Sequence, residues 1–330
     1  MARLVAAFGT SHSPALNSPA EDMAGHARRD EMYQGHLDRE GRRVSYGQLL
    51  AAAGTRFTAE ITEEKLAERV AACERHIDRL AQAIAGARLD ALIVVGDDQR
   101  EQYLEDNQPA FLVYCGATIE NAPMELPGNA PEYWKRARSQ YHEPDGRREY
   151  PVAAGLALHV AESLVARDFD ISYAKTLTRP RGEGHAFGFV HRRLLGGGTA
   201  LPIVPFVVNT YYPPNQPRPA RCYQLGQALR QAIETFSGKQ RVGVIASGGL
   251  SHFTVDEELD RGVLEACTSG NGKALSAIPP AKLNSGSSEI RNWIVAAGAA
   301  EGLRTKWQEY VPLYRTPAGT GCGMAFATWG

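Results

Sequence analysis

The sequence predicts an α/β fold: a single-domain sandwich with a mostly parallel or mixed central sheet flanked by helices. Three observations predict it. Short β-branched apolar runs alternate with longer stretches of helical period. The runs end in Gly, Asp, Ser or Asn, as strands do where a chain leaves a sheet. Strand–helix alternation sustained along a chain is the pattern of layered α/β domains.

Taken in order, strands are expected at 3–8 (RLVAAF), 91–96 (ALIVVG), 111–117 (FLVYCGA), 171–177 (ISYAKTL), 202–208 (PIVPFVV) and 241–247 (RVGVIAS). The clearest helix is predicted from Glu63 to Gly86. There Leu66, Val70, Ile77, Leu80, Ala81 and Ile84 fall on one side. Further helices are expected at about 152–166, 221–236, 256–268 and 288–301. The stretch from Asp22 to Phe57 breaks the rhythm: it is polar and has no strong strand, so it reads as an insertion covering one edge of the sheet. Gly- and Pro-rich segments at 124–131 and 211–220 mark ordered loops. With no internal repeat or low-complexity linker, one continuous domain over 1–330 is expected.

The chain has 330 residues, 43% of them hydrophobic, which is ample for a large core. Its formal net charge is −1, and no long like-charge run appears, which argues against a nucleic-acid partner. No window approaches the ~20 apolar residues a bilayer span needs. The first apolar run is too short for a signal peptide. Five scattered cysteines give no C-x-x-C pair and no disulfide framework, so a reducing cytoplasm is the expected location. Each reads as a small buried apolar group.

Residues able to bind a metal or move a proton follow several of these strands. The first leads into Gly9-Thr10-Ser11-His12, the second into Asp97-Asp98-Gln99, and the sixth into Gly248-Gly249-Leu250-Ser251-His252. A fourth loop carries Gly184-His185-Ala186-Phe187-Gly188. Ligands of open α/β sheets bind outside the carboxyl ends of the strands, so these loops are expected to converge on one pocket. The other histidines (His26, His76, His142, His159 and His191) read as ordinary surface or hydrogen-bonding residues. The Gly-rich frames of His12, His185 and His252 set those three apart, because glycine lets the backbone approach something closely.

GTSHSPAL, GHAFGF, SGGLSH followed by DEELD, and the late SGSSEIRNW together resemble the class III extradiol ring-cleaving dioxygenases, the LigB-like superfamily, in order and over nearly the whole chain. The resemblance implies a LigB-like α/β fold and a non-haem Fe(II) ion. It also implies a small catechol- or gallate-type substrate whose ring is opened with O2. The family's iron ligands fall on His12, Glu258 and Gln99, and its acid–base histidines on His185 and His252. Gln99 departs from the pattern, which has a histidine there. An amide oxygen is a weaker ligand than imidazole. Asp97, Asp98 or His36 could ligate instead, and a carboxylate-rich set suits Mn(II) as well as iron. Thr10, Ser251, Tyr212 and Arg181 are candidates for substrate binding, with Tyr211 and Arg192 nearby. Two other functions stay open: a metal-dependent hydrolase or lyase that uses no O2, and a metal-free partner subunit. A homo-oligomer, most simply a dimer, is expected.

Overall fold

The computed structural model describes residues 1–330, the Ala20 side chain excepted. In chain order its strands and helices are β1 (Arg3–Thr10), α1 (Met23–Met32), α2 (Tyr46–Ala53), α3 (Glu63–Gly86), β2 (Ala91–Gly96), β3 (Phe111–Tyr114), β4 (Thr118–Asn121), α4 (Glu132–Ser139), β5 (Arg148–Pro151), α5 (Ala154–Val165) and β6 (Ser172–Ala174). They continue with α6 (His185–Phe189), β7 (Ile203–Val208), α7 (Pro219–Thr235), β8 (Arg241–Ser247), β9 (His252–Thr254), α8 (Glu257–Ser269), α9 (Gly272–Ser276), α10 (Ile290–Ala299), β10 (Thr305–Tyr314) and β11 (Thr320–Trp329).

The main sheet is mixed, in the order β10-β11-β1-β8-β2-β7-β3-β6, with β9 paired to β11. Its centre is parallel: β1 beside β8, β8 beside β2, and β2 beside β7. β11 lies antiparallel to β1, and β3 antiparallel to β7. A small β4–β5 ribbon stands apart.

β2 shows why the sheet needs helices on both faces. All six of its residues are buried. Ile93 and Val95 join the core beneath α5, α7, α8 and α10, whereas Leu92 and Val94 join the core beneath α3. Successive side chains point to opposite faces, so a run apolar at every position is stable only when both faces are covered. α10 is buried at all ten positions. α3 begins where Thr62 accepts from the Lys65 backbone N–H, and its buried residues Leu66, Cys73, Ile77, Leu80 and Ile84 keep the helical period.

The polar stretch after β1 contains α1 and α2, the latter opened by a reciprocal Ser45–Gln48 capping box. It is tied to the far end of the chain: buried Asp30 accepts from Arg315 at 2.9 and 3.1 Å and from Thr320 at 2.7 Å. All five cysteines are free and buried. Among the described residues, no helix is long and apolar enough to cross a membrane.

Candidate active site

β1, β2 and β8 run parallel, so their carboxyl ends open on one edge. A cavity of about 280 Å³ lies there. His12 follows β1, Gln99 follows β2, His252 follows β8 and His185 opens α6. Glu289, the residue before α10, faces the same space, and α1 and α4 cover it with Arg29, Asp30, Tyr33, Trp134 and Arg138.

His12 is held edge-on to His185, with ring centroids 5.1 Å apart. The Ser247 hydroxyl donates to the Ala186 carbonyl at 2.7 Å, so at 3.3 Å it is left to accept from His12 Nδ1. That tautomer leaves a lone pair on Nε2, a buried atom without a partner. Burial, reinforced by His185, depresses the His12 pKa to about 3, so the imidazole is neutral.

His185 is the opposite case. Burial lowers its pKa, but the Glu101 carboxylate outweighs burial and holds it near 9. Glu101 accepts from His185 Nδ1 at 2.8 Å and from its backbone N–H at 3.0 Å. Nε2 is again buried and unpartnered.

His252 donates from Nδ1 to the Leu250 carbonyl at 2.9 Å and turns Nε2 toward Glu289 Oε1 at 3.2 Å. Burial opposes its charged form, yet Glu289 raises its pKa well above the usual value. Glu289 also accepts from the Gly249 backbone N–H at 2.7 Å and from Gln99 Nε2 at 2.9 Å. The glycines of SGGLSH are thus placed for close approach: a Cβ on Gly249 would lie 2.7 Å from His252 Nδ1.

Asp97 is buried, and Asn292 donates to its Oδ1 at 3.2 Å. Its Oδ2 has no partner. Burial first, and Glu289 second, push its pKa up to about 8.

Several sequence expectations are corrected here. Glu258 is exposed on α8 and does not line the cavity. In DEELD the inward acids are its neighbours: Asp256 caps α8, and Asp260 accepts from Ser251. Residue 258 lies two positions from each, about 200° around the helix. The acid that meets the histidines is Glu289, from SGSSEIRNW.

Asp98 turns both oxygens to the backbone N–H groups of Glu101, Gln102 and Tyr103, and it neither lines the cavity nor joins the ligand cluster of Asp97, His185 and Glu289. His36 is buried inside the insertion, its Nε2 2.6 Å from the Asp30 carbonyl, and does not line the cavity. Thr10 turns its hydroxyl to the Ser11 carbonyl, Ser251 is committed to Asp260, and Tyr212 lies beneath Arg100. Arg181 lines a neighbouring cavity, and Arg192 pairs with Glu143. None of these five lines the site.

Sequence reasoning missed Arg29, Trp134, Arg138 and Tyr141, which sit on helices or turns with no motif. It also missed Glu289. Its signal was an acid at the start of a predominantly apolar helical stretch, where a buried carboxylate must find partners.

The residues fit a divalent cation. Donor atoms of Asp97, His185 and Glu289 lie within 4.8 Å of one another. The Asp97 oxygen and two imidazole nitrogens are buried without partners, and two neighbouring buried carboxylates call for positive charge.

The chain belongs to the LigB family. It matches the family described as the catalytic LigB subunit of aromatic ring-opening dioxygenase over residues 58–325. Among similar proteins, gallate dioxygenase of Pseudomonas putida is 39% identical over 110 residues, 32% of this chain and 31% of that protein. The 2,3-dihydroxyphenylpropionate/2,3-dihydroxicinnamic acid 1,2-dioxygenase of Cupriavidus necator is 34% identical over 163 residues, 49% of this chain and 44% of that protein. Its counterpart in Comamonas testosteroni is 26% identical over 178 residues, 52% and 48% respectively. The matches thus span 31–48% of the length of these curated relatives.

Proposed function

We propose that this protein is an extradiol dioxygenase that opens a catechol- or gallate-type ring with O2 and Fe(II). The observation that carries the reading is the meeting of three imidazoles and the Glu289 carboxylate around one cavity, in a chain of the LigB family. Bound Fe(II) would supply a centre where ring oxygens and O2 are brought together and electrons pass between them.

The chain's own residues do the rest. His12 offers a neutral nitrogen to the cavity. His252 carries a proton at Nε2, held there by Glu289, and hands it to an oxygen of the opening ring. Tyr141, Trp134, Tyr211 and Phe253 wall the space, suiting a flat ring and excluding water.

At the mouth, Arg29 stacks on Trp134 at 3.4 Å, and Arg138 has a carboxylate neighbour only at 3.8 Å, in Glu101. Two guanidiniums with spare donors suit an anionic ring substituent. For a catechol, the C–C bond beside the diol breaks. Both atoms of O2 enter the product, as an aldehyde and a carboxylate oxygen, and no external reductant is consumed. The five buried free cysteines fit a reducing cytoplasm. A homodimer is the proposed working unit.

The test is oxygen uptake after anaerobic Fe(II) loading, with gallate, 3-O-methylgallate and protocatechuate. One O2 consumed per ring opened is the expected result; no uptake with any of them refutes the reading. The free Asp97 oxygen favours a second reading, a metal-dependent hydrolase or lyase. Product formation in the absence of O2 distinguishes it.

A further inference from the structure

A LigB-like pattern places the second metal-binding imidazole at the position held here by Gln99. Gln99 is exposed, and its amide nitrogen is spent on Glu289 Oε1 at 2.9 Å. A carboxylate can only accept, so the NH2 end must face it and the amide oxygen points away from that contact. Gln99 therefore braces a neighbouring acid.

His12, His185 and Glu289 line the cavity, and ligand atoms of Asp97, His185 and Glu289 lie within 4.8 Å of one another. His12 is 6% exposed, His185 5%, Asp97 1% and Glu289 2%, so none is solvated as a free polar group would be. His12 Nε2, His185 Nε2 and Asp97 Oδ2 have no hydrogen-bond partner. Leaving three such atoms bare is costly, and a shared cation relieves that cost.

Each donor is aimed by a contact on its other side. Ser247 holds His12 Nδ1, Glu101 holds His185 Nδ1, Asn292 holds Asp97 Oδ1, and the Gly249 N–H holds Glu289 Oε2. A carboxylate gripping the far nitrogen of an imidazole is how metal-binding histidines are fixed in orientation.

We propose that this chain binds its divalent cation with His12, His185, Asp97 and Glu289, the ion displacing the proton from His185 Nε2, and that His185 has taken over as the second imidazole, leaving Gln99 outside the coordination sphere. This deepens the dioxygenase reading and rests on it only for the metal's use. Two nitrogens with at least two carboxylate oxygens form a harder set than two imidazoles and one carboxylate, so it accepts Mn(II) readily alongside Fe(II).

The test is binding of Mn(II) to the purified full chain, followed by calorimetry and by the paramagnetic resonance of free Mn(II), with circular dichroism as a check on folding. His185→Ala and Asp97→Asn are each expected to weaken Mn(II) by well over ~100-fold, and Gln99→Ala, which removes only a brace of Glu289, by about tenfold. His185→Asn, closer in size and polarity, is expected to behave as His185→Ala, so one misfolded variant does not decide the matter. The Co(II)-loaded Gln99→Ala variant is expected to keep the wild-type visible spectrum, and His185→Asn to change it. Loss of metal in Gln99→Ala, with retention in folded His185→Asn and Asp97→Asn, overturns the assignment. Because binding is read without turnover, the two ideas fail separately. A chain that binds Mn(II) this way yet opens no ring keeps this site and loses the dioxygenase reading. One that opens rings while His185→Asn keeps its metal does the reverse.

Discussion

Replacing Gly9 by alanine tests how firmly α10 is seated on β1, and hence how firmly Glu289 is held. A Cβ at Gly9 would lie 2.3, 2.6 and 2.9 Å from three carbons of the Trp293 ring. Carbon atoms in contact sit about 3.5–4.0 Å apart, so the ring must retreat by roughly 1 Å. Trp293 has little freedom to turn aside. It is 1% exposed, and its indole N–H donates to the Gly248 carbonyl at 2.8 Å. The retreat is passed to the α10 backbone, and Glu289 immediately precedes that helix.

Overpacking of this kind costs about 1–3 kcal/mol. At ~2.1 cal/mol/K of unfolding entropy per residue, the whole chain gives ~0.7 kcal/mol/K, so Tm should fall by roughly 1–4 °C. Calorimetry measures that fall, and Mn(II) titration of the same sample should show affinity reduced about tenfold, the size of effect expected when a ligand's support is disturbed. Adding Trp293→Phe should recover part of both losses. An unchanged Tm together with unchanged Mn(II) affinity would refute the claim that β1 positions Glu289 through Trp293.

Glu258→Ala should leave stability within about 0.5 kcal/mol and metal content untouched, while Glu289→Ala loses the metal; metal analysis giving the opposite pair would restore Glu258. Asp30→Ala leaves Arg315, 7% exposed at its side chain, without its counter-charge, and should cost about 3–5 kcal/mol in urea unfolding. Burial lifts Asp260 to about 7, against the hydrogen bonds of Ser251 and Tyr310. Folding then takes up a proton between the unfolded value near 4 and pH 7, so this group's contribution to stability falls as pH rises through that window. Asp260→Asn removes the effect, and parallel stability–pH curves for the two proteins would contradict it. Arg138→Ala should raise KM for carboxylated catechols well above any change for catechol itself; equal changes for both would remove the guanidinium from substrate recognition.

Much of the frame could be read from the residues alone. α3 has the bounds its periodicity predicts, and the central strands β1, β2, β7 and β8 fall within two residues of expectation. Those elements bury one stripe or both faces, so their patterns are strong. The β10–β11 hairpin went unrecognised. All ten residues of β11 are buried, many are small, and glycines at 321 and 323 dilute the strand signal. The expected strand 111–117 stops at Tyr114, and a turn leads into β4. In the site, His12, Gln99, His185 and His252 were legible because each follows a strand or opens a glycine-framed turn. Glu289 was not, because sequence nearness to SGGLSH favours DEELD, whereas space brings in a residue 37 positions beyond His252.

β1 pairs on one side with β8 and on the other with β11, so Ala7 is matched with Val244 and Trp329. The first strand therefore waits for the last ones before it is fully hydrogen-bonded, and so do His12 at its end and the Asp30–Arg315 clasp above it. Contacts this remote along the chain make for slow folding. The proposed metal donors, as distant in sequence as His12 and Glu289, stay apart until this long-range pairing is made, so the proposed ion would be acquired by the folded chain rather than by the strand that carries its first donor.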